Sequence, residues 1–390
     1  MQALTVDADP FSPEILTEPY EFYRELRDAS AVAYFPQHDA YALTRYQDVR
    51  DALSRSDVYS SASGVGLNEI INGVKKNLIQ TDAPDHDRLR RVLGERLGPR
   101  AIRPLREIVR QKAQTIVDGV LSMGSFDAIR EIALALPVSV IIDFVGYPPE
   151  DREKLSVLGY NVFNAFGPPN DLLPYALGKF EEMMSYLLTE ATVDRLRPGS
   201  MGADVYAAAD RGDIDPEEAV QLMVAYTTAG MDTTMSAIGT AIYLFGTYPD
   251  EWDKARANPL AVRAAMNEVL RYDAPIQWFS RLTLTDYEVD GILLPAQSRV
   301  ILYMGSANRD ERKWDNPDQF DISRDAGGQL AFGYGLHGCA GQALARLEFE
   351  ELFCALADRV ARIEIQNPQW PIHNLLRSIS SMQATLRLDN

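Results

Sequence analysis

Asp215-Pro216-Glu217-Glu218 opens the stretch that most limits how this chain can fold. An Asp at the cap, Pro in the first helical position and acids in the first turn make a strong helix start. Nothing stops the pattern before about Thr247. At 1.5 Å per residue this is roughly 48 Å of helix, enough to cross the whole molecule. The remaining elements then have to pack around it.

Shorter helices are predicted from about residue 18, at 85–96, 100–123, 129–144, 149–161, 174–195, 249–257 and 259–272, and again after a glycine-rich loop at 332–341. Apolar runs at 31–35 and 41–44 flank Pro36-Gln37-His38-Asp39 and read as a hairpin. Residues 60–73 read as a loop with one short helix, residues 280–304 as strand-rich, and the last thirty as β-like. No linker interrupts the pattern, so one domain over 1–390, mainly α with a minor β portion, is expected.

The 46% hydrophobic and 24% charged fractions are those of an ordinary globular protein, with no repeat and no low-complexity tract. A formal net charge of −18 argues against nonspecific nucleic-acid binding. Met1 to Pro10 has neither the basic nor the apolar region of a signal peptide, and no apolar run is long enough to span a bilayer, so a cytoplasmic protein is expected. The two cysteines, Cys339 and Cys354, would lie about 22 Å apart along a helix and cannot pair. Against the acidic background, 88–112 holds nine Lys/Arg and only two Glu. That run reads equally as a docking face for an acidic partner or as a solvated face with some arginines used internally.

Two sites carry chemistry. In Phe332-Gly333-Tyr334-Gly335-Leu336-His337-Gly338-Cys339-Ala340-Gly341 one cysteine precedes a helix, whose unpaired amides favour a thiolate. The glycines strip side chains from a surface against which a flat macrocycle could lie. Inside the long helix, Ala229-Gly230-Met231-Asp232-Thr233-Thr234 replaces packing residues with small and polar ones, and Gly230 costs about 1 kcal/mol relative to alanine. A buried structural Cys in a turn and a Thr-rich packing face with an exposed Asp are the plainer alternatives.

Together these motifs resemble the cytochromes P450. The resemblance runs from Pro19-Tyr20 to the terminal β segment and implies a triangular, mostly α fold with a long helix over haem. It implies haem b ligated by Cys339, with Phe332, Gly333 and Gly341 in the binding loop. Asp232 and Thr233 match the acid-alcohol pair, Thr233 hydrogen-bonding the bound oxygen and Asp232 relaying protons from solvent. His86, Arg90, Arg281 and His337 match the propionate contacts, with His337 standing where arginine is commoner. Glu268 and Arg271, with Arg324, match a buried charge network of structural role.

The implied activity is that of a haem-thiolate monooxygenase, an oxidoreductase using O2 and two electrons. Electrons would pass from NAD(P)H through ferredoxin reductase to a ferredoxin on the basic proximal face of a monomer. Asn161 to Asn170 and Ser63 to Leu67 look similar to P450s acting on para-substituted benzoic acids, where phenylalanines matching Phe163 and Phe166 sandwich a small aromatic ring. Those relatives hold a carboxylate with an arginine at the place of Ser63 and with polar residues near Val224 and Ala225. A neutral small aromatic, such as a methoxyphenol or alkylphenol, is therefore the expected substrate for O-demethylation or hydroxylation, with a benzoate-like one still open. Ala229, Trp278, Phe279 and Leu375 are the further expected pocket walls, and Asn68, Tyr226 and Thr228 possible polar contacts. A hydroxylase of a bulkier terpenoid or macrolide and a non-catalytic haem ligand binder stand as alternatives.

Overall fold

The computed structural model describes residues 2–155 and 162–388. Its organising element is the helix Pro216–Thr247, 32 residues long, with a complete capping box between Asp215 and Glu218. Most of its side chains are buried, and Gln221, Ala225, Ala229 and Thr233 remain partly or fully open. Their spacing of four places them in one stripe along the helix. At Gly230 a Cβ would lie 2.6 Å from Ile141 Cδ1, the end of a side chain on the neighbouring helix Ala135–Val145 that would have to shift to admit it. The helix is continuous through this point, with no interruption near Gly230.

Around it pack the helices Asp85–Leu97, Arg106–Leu121, Leu173–Thr189, Met201–Asp210, Pro249–Ala257, Pro259–Tyr272 and Gln342–Ala357. The helix expected at 100–123 is divided, because Pro104 lacks the N–H an uninterrupted ladder needs, and a 3-10 turn at Arg103–Leu105 takes its place. Met201–Asp210, capped by Ser200, went unread in the sequence. Of the helix expected at 149–161 the turn Pro149–Asp151 and its continuation to 155 are described, and the rest, including Asn161, lies outside the described residues.

The β portion holds a mixed sheet in the spatial order Leu4–Thr5, Val32–Phe35, Ala40–Leu43, Arg299–Leu302, Phe279–Thr283 and Tyr59–Ser60. The hairpin of 32–43 is antiparallel, with Val32 opposite Leu43. Val360–Gln369 and Ser381–Leu388 form a second antiparallel pair, joined by Phe126–Asp127.

A buried ion cluster ties the helix Pro259–Tyr272 to the segment before the cysteine loop. Arg271 donates to both oxygens of Glu268 at 2.7 and 2.9 Å, and both residues are fully buried. Arg271 also donates to the carbonyls of Asn308 and Pro317. Glu268 Oε1 in turn accepts from the Asp321 amide at 3.0 Å and from Arg324 at 3.3 Å. Satisfied on all sides, the pair is tolerated at zero exposure; with one partner gone the other charge is stranded. Glu268→Ala or Arg271→Ala is expected to cost about 3–5 kcal/mol, measured by denaturant unfolding of the holoprotein; a loss below 1 kcal/mol would contradict this.

Candidate functional site

The cysteine loop ends against the N-terminus of the helix Gln342–Ala357. Gly333 and Gly335 both take φ of 68°, a left-handed conformation, and the Cys339 amide donates back to the Phe332 carbonyl at 2.7 Å. At Gly335 a Cβ would also sit 2.6 Å from the Leu53 carbonyl, so no other residue fits that turn. Cys339 is partly accessible. Burial pushes its thiol up, while the amides of Gly341 and Gln342 and the charges of Arg90 and Arg346 pull it down. Arg346, which the sequence reading passed over, stacks its guanidinium 5.0 Å from the centre of the Phe332 ring. A Cβ at Gly341 would meet no protein atom within 4 Å, so packing within the chain does not account for this glycine.

Beside the loop lies a cluster of cationic and imidazole groups with few acids. The rings of His86 and His337 meet edge to face at 4.6 Å, and the Nε2 of each is buried without a hydrogen-bond partner. Arg281, 4% exposed, donates only to the carbonyl of its neighbour Ser280, and burial lowers it to about 10. Arg90 is half-buried with its charge felt at Cys339. The acids nearby are Asp87, 3.2 Å from His86 Nδ1, and Asp82, whose carboxyl the Ser60 hydroxyl and the Ser61 amide pull down against its burial. Its 3.8 Å approach to His337 Nε2 is too long for a hydrogen bond. Burial lowers His337 to about 4, so at neutral pH the two are not an ion pair. Unpartnered donors and cations of this kind, on a chain of net charge −18, fit the carboxylate edge of a haem, and Cys339 fits its metal.

On the central helix, Thr233 Oγ1 donates to the Ala229 carbonyl at 2.8 Å, so its proton is held within the turn. Asp232 is 2% exposed, its Oδ2 has no partner, and burial raises it well above the carboxylate range. The reading of a solvent-exposed Asp is therefore corrected: the carboxyl is enclosed, and any proton exchange with solvent needs rotation or intervening water. A second enclosed carboxyl, Glu348 on the helix after the loop, is 1% exposed and raised in the same way. Sequence alone marks it as an ordinary helical Glu.

Several expected pocket residues sit differently. Phe163 and Phe166 have ring centres 6.1 Å apart at 30°, closer than the roughly 7 Å that two face contacts of 3.5 Å require. They lie tilted against each other, with Phe166 edge-on to Phe279 at 5.8 Å, and as placed leave no room for a ring between them. Trp278 and Leu375 are almost fully buried in a cluster with Phe11, Tyr23 and Tyr303, so they back these rings. Ser63 is exposed, and its carbonyl accepts from Arg299 at 2.9 Å. Asn68 is committed to backbone partners, and Thr228 donates to the Val224 carbonyl. Tyr226, 4% exposed, carries a hydroxyl with no partner. Val224, Ala225, Ala229, Phe166 and Phe279 keep open surface, all of it apolar.

The basic run 88–112 is largely neutralised by other elements. Arg88 pairs with Glu218, Arg96 with Asp204, Arg106 and Arg110 with Glu351, and Lys112 with Asp143. Among the described residues Arg91, Arg100 and Arg103 stay exposed and show no ion-pair partner. The internal use of these arginines thus accounts for most of the run.

Because Asp232 gains protonation on folding, its contribution to stability is complete below the unfolded carboxylate pKa and is lost as pH rises toward the folded value. Asp232→Asn should thus stabilise the protein at pH 7 by about 0.5–2 kcal/mol, with the advantage shrinking at pH 4. Melting temperatures across pH 4–8 check this, and an advantage that grows on acidification would refute it.

Comparison with known proteins finds the same family at both levels. The family model for Cytochrome P450 matches residues 189–369. The chain is 37% identical over 388 residues to cytochrome P450 CYP199A2 of Rhodopseudomonas palustris, covering 97% of this chain and 93% of that protein. It is 31% identical over 386 residues to the beta-dihydromenaquinone-9 omega-hydroxylase of Mycobacterium tuberculosis, covering 97% and 78%. Among solved structures, CYP109Q5 of Chondromyces apiculatus superposes with a TM-score of 0.81 at 29% identity, covering 98% and 99%.

Proposed function

We propose, from the premise that this chain belongs to the cytochrome P450 family and is a monooxygenase of that family, that it oxidises a small neutral aromatic by hydroxylation or O-demethylation. The observation that carries this is that Val224, Ala225 and Ala229 on the central helix, and Phe166 and Phe279, which meet edge-on, keep open surface and offer no charge at the positions the resemblance assigns to the pocket. A carboxylate placed there would lose its hydration without a partner. Arg299, the cation nearest the Ser63–Gly64 loop, already donates to the carbonyls of Ser63 and Gly64.

In this reading Cys339 ligates haem b, and His86, Arg90, Arg281 and His337 hold its carboxylates. When bound, the haem supplies reductive activation of O2, one oxygen atom entering the substrate and the other leaving as water. The protein's part is positional. The apolar wall excludes water and presents a ring, Asp232 holds a proton in an enclosed carboxyl, and Thr233 can exchange its bond to the Ala229 carbonyl for one to a nearby acceptor. Electrons would come from NAD(P)H by way of a reductase and a ferredoxin, the latter docking where Arg91, Arg100 and Arg103 are left unneutralised.

The identity to a menaquinone omega-hydroxylase supports a second reading, a long isoprenoid substrate. Titration separates the two: para-methoxy- and para-alkylphenols are expected to shift the Soret band of the holoprotein, and a shift with isoprenoid chains alone would favour the second. Thr233→Ala is expected to keep binding within about threefold while diverting most electrons to peroxide. Product formed per NADH consumed checks it, and unchanged coupling would remove Thr233 from the mechanism. Cys339→Ser should abolish the thiolate-specific carbonyl band, and its persistence would remove the ligand assignment.

A further inference from the structure

The turn Phe163–Phe166, which carries both rings, is a single four-residue 3-10 helix and cannot hold its own position. The carbonyls of Asn164, Ala165 and Phe166, and that of the following Gly167, are taken, and apart from one bond within the turn the donors come from distant segments. Asn68 Nδ2 donates to the carbonyls of Ala165 and Gly167, both at 2.7 Å. The Leu67 amide donates to the Phe166 carbonyl at 2.9 Å. The Asn164 carbonyl accepts from Asn374 Nδ2 at 3.0 Å and from the Gly167 amide, while Asn164 Oδ1 accepts from the Asn374 amide at 2.8 Å. Asn374 and Asn170 then exchange reciprocal amide bonds at 2.7 and 3.2 Å.

Both anchors are themselves fixed. Asn68 Oδ1 caps the helix Glu69–Gly73 through the Ile71 amide, and the Asn374 carbonyl accepts from Trp278 Nε1 at 2.7 Å. Asn68, Asn164 and Asn374 are 6%, 6% and 1% exposed. The fit is close, since a Cβ at Gly167 would lie 2.2 Å from Asn374 Nδ2. Every group in this set is a neutral amide, so its strength does not vary with pH or salt over the physiological range. Buried amide bonds of this kind are costly to open singly, because each leaves an unpaired partner behind.

We propose that Asn68 and Asn374 are specificity-determining positioning residues: by clamping the Phe163–Gly167 turn from two sides they fix the height of the Phe166 ring and set the largest substrate the distal cavity admits. Neither side chain touches the substrate. The clamp deepens the small-substrate reading and rests on it for the place of the Phe166 ring in the pocket and for the identity of the native ligand.

The test uses holoprotein and a ladder of 4-phenylimidazoles bearing para-alkyl groups of increasing length, which bind the haem iron whatever the native substrate. Asn374→Ala and Asn68→Ala are compared with Asn68→Asp, which keeps the acceptor that caps Glu69–Gly73 and loses both donors to the turn. Hydrogen exchange at 164–167 is expected to speed up at least tenfold in all three, with the thiolate carbonyl band retained. The azole length at which wild-type affinity collapses should move up by two or more carbons, the longer azoles binding at least tenfold tighter. Faster exchange with an unmoved length cut-off would overturn the specificity role. Wild-type behaviour of Asn68→Asp beside a loosened Asn68→Ala would show that the helix cap alone matters and would likewise overturn it. Should wild type bind short azoles yet no phenol, the small-aromatic reading fails while the clamp is still judged by the ladder.

Discussion

A 32-residue helix buried on nearly every side has to be wrapped, and the wrapping is what the rest of the fold supplies. Helices pack against it from several sides, and one of them, Ala135–Val145, brings the Ile141 side chain up against Gly230. In its middle, a stripe through Gln221, Ala225, Ala229 and Thr233 is left partly or fully open. That stripe is the floor from which a site can be built, since apolar surface left open on a core helix is costly unless something else covers it. The haem that the family carries and a hydrophobic substrate are of the right chemistry to do so.

Charge is organised to the same end. Most cations of the run 88–112 are paired with carboxylates on neighbouring helices, which holds those helices together. A smaller set, Arg90, Arg281 and the two facing histidines, is left with little acidic company beside Cys339. In an acidic protein such a deficit of counter-ions is a place prepared for an anionic edge. The enclosed carboxyls of Asp232 and Glu348 are the reverse case: protons held where the fold would be more stable without an ionisable group.

The distal wall shows a third device. Its rings lie tilted against each other and are backed by Trp278 and Leu375, and the turn that bears Phe163 and Phe166 is held by asparagines from segments about 100 and 210 residues away. Neutral amides give direction without the desolvation cost of charges. The turn is thus held rigid with no ionic contact near its apolar surface.

Local chemistry made much of this legible without coordinates. The cap at Asp215, the prolines opening Pro249–Ala257 and Pro259–Tyr272, the i, i+3 pair of Glu268 and Arg271 and the glycines before Cys339 act over a few residues, so spacing alone reveals them. Which arginines of 88–112 are neutralised, that Asp232 is enclosed, that Phe166 meets Phe279, and that Asn68 and Asn374 meet one turn are decided by contacts between residues far apart in sequence. The order of residues carries periodicity and turn chemistry; burial and partnership arise only when distant segments exclude water from between them.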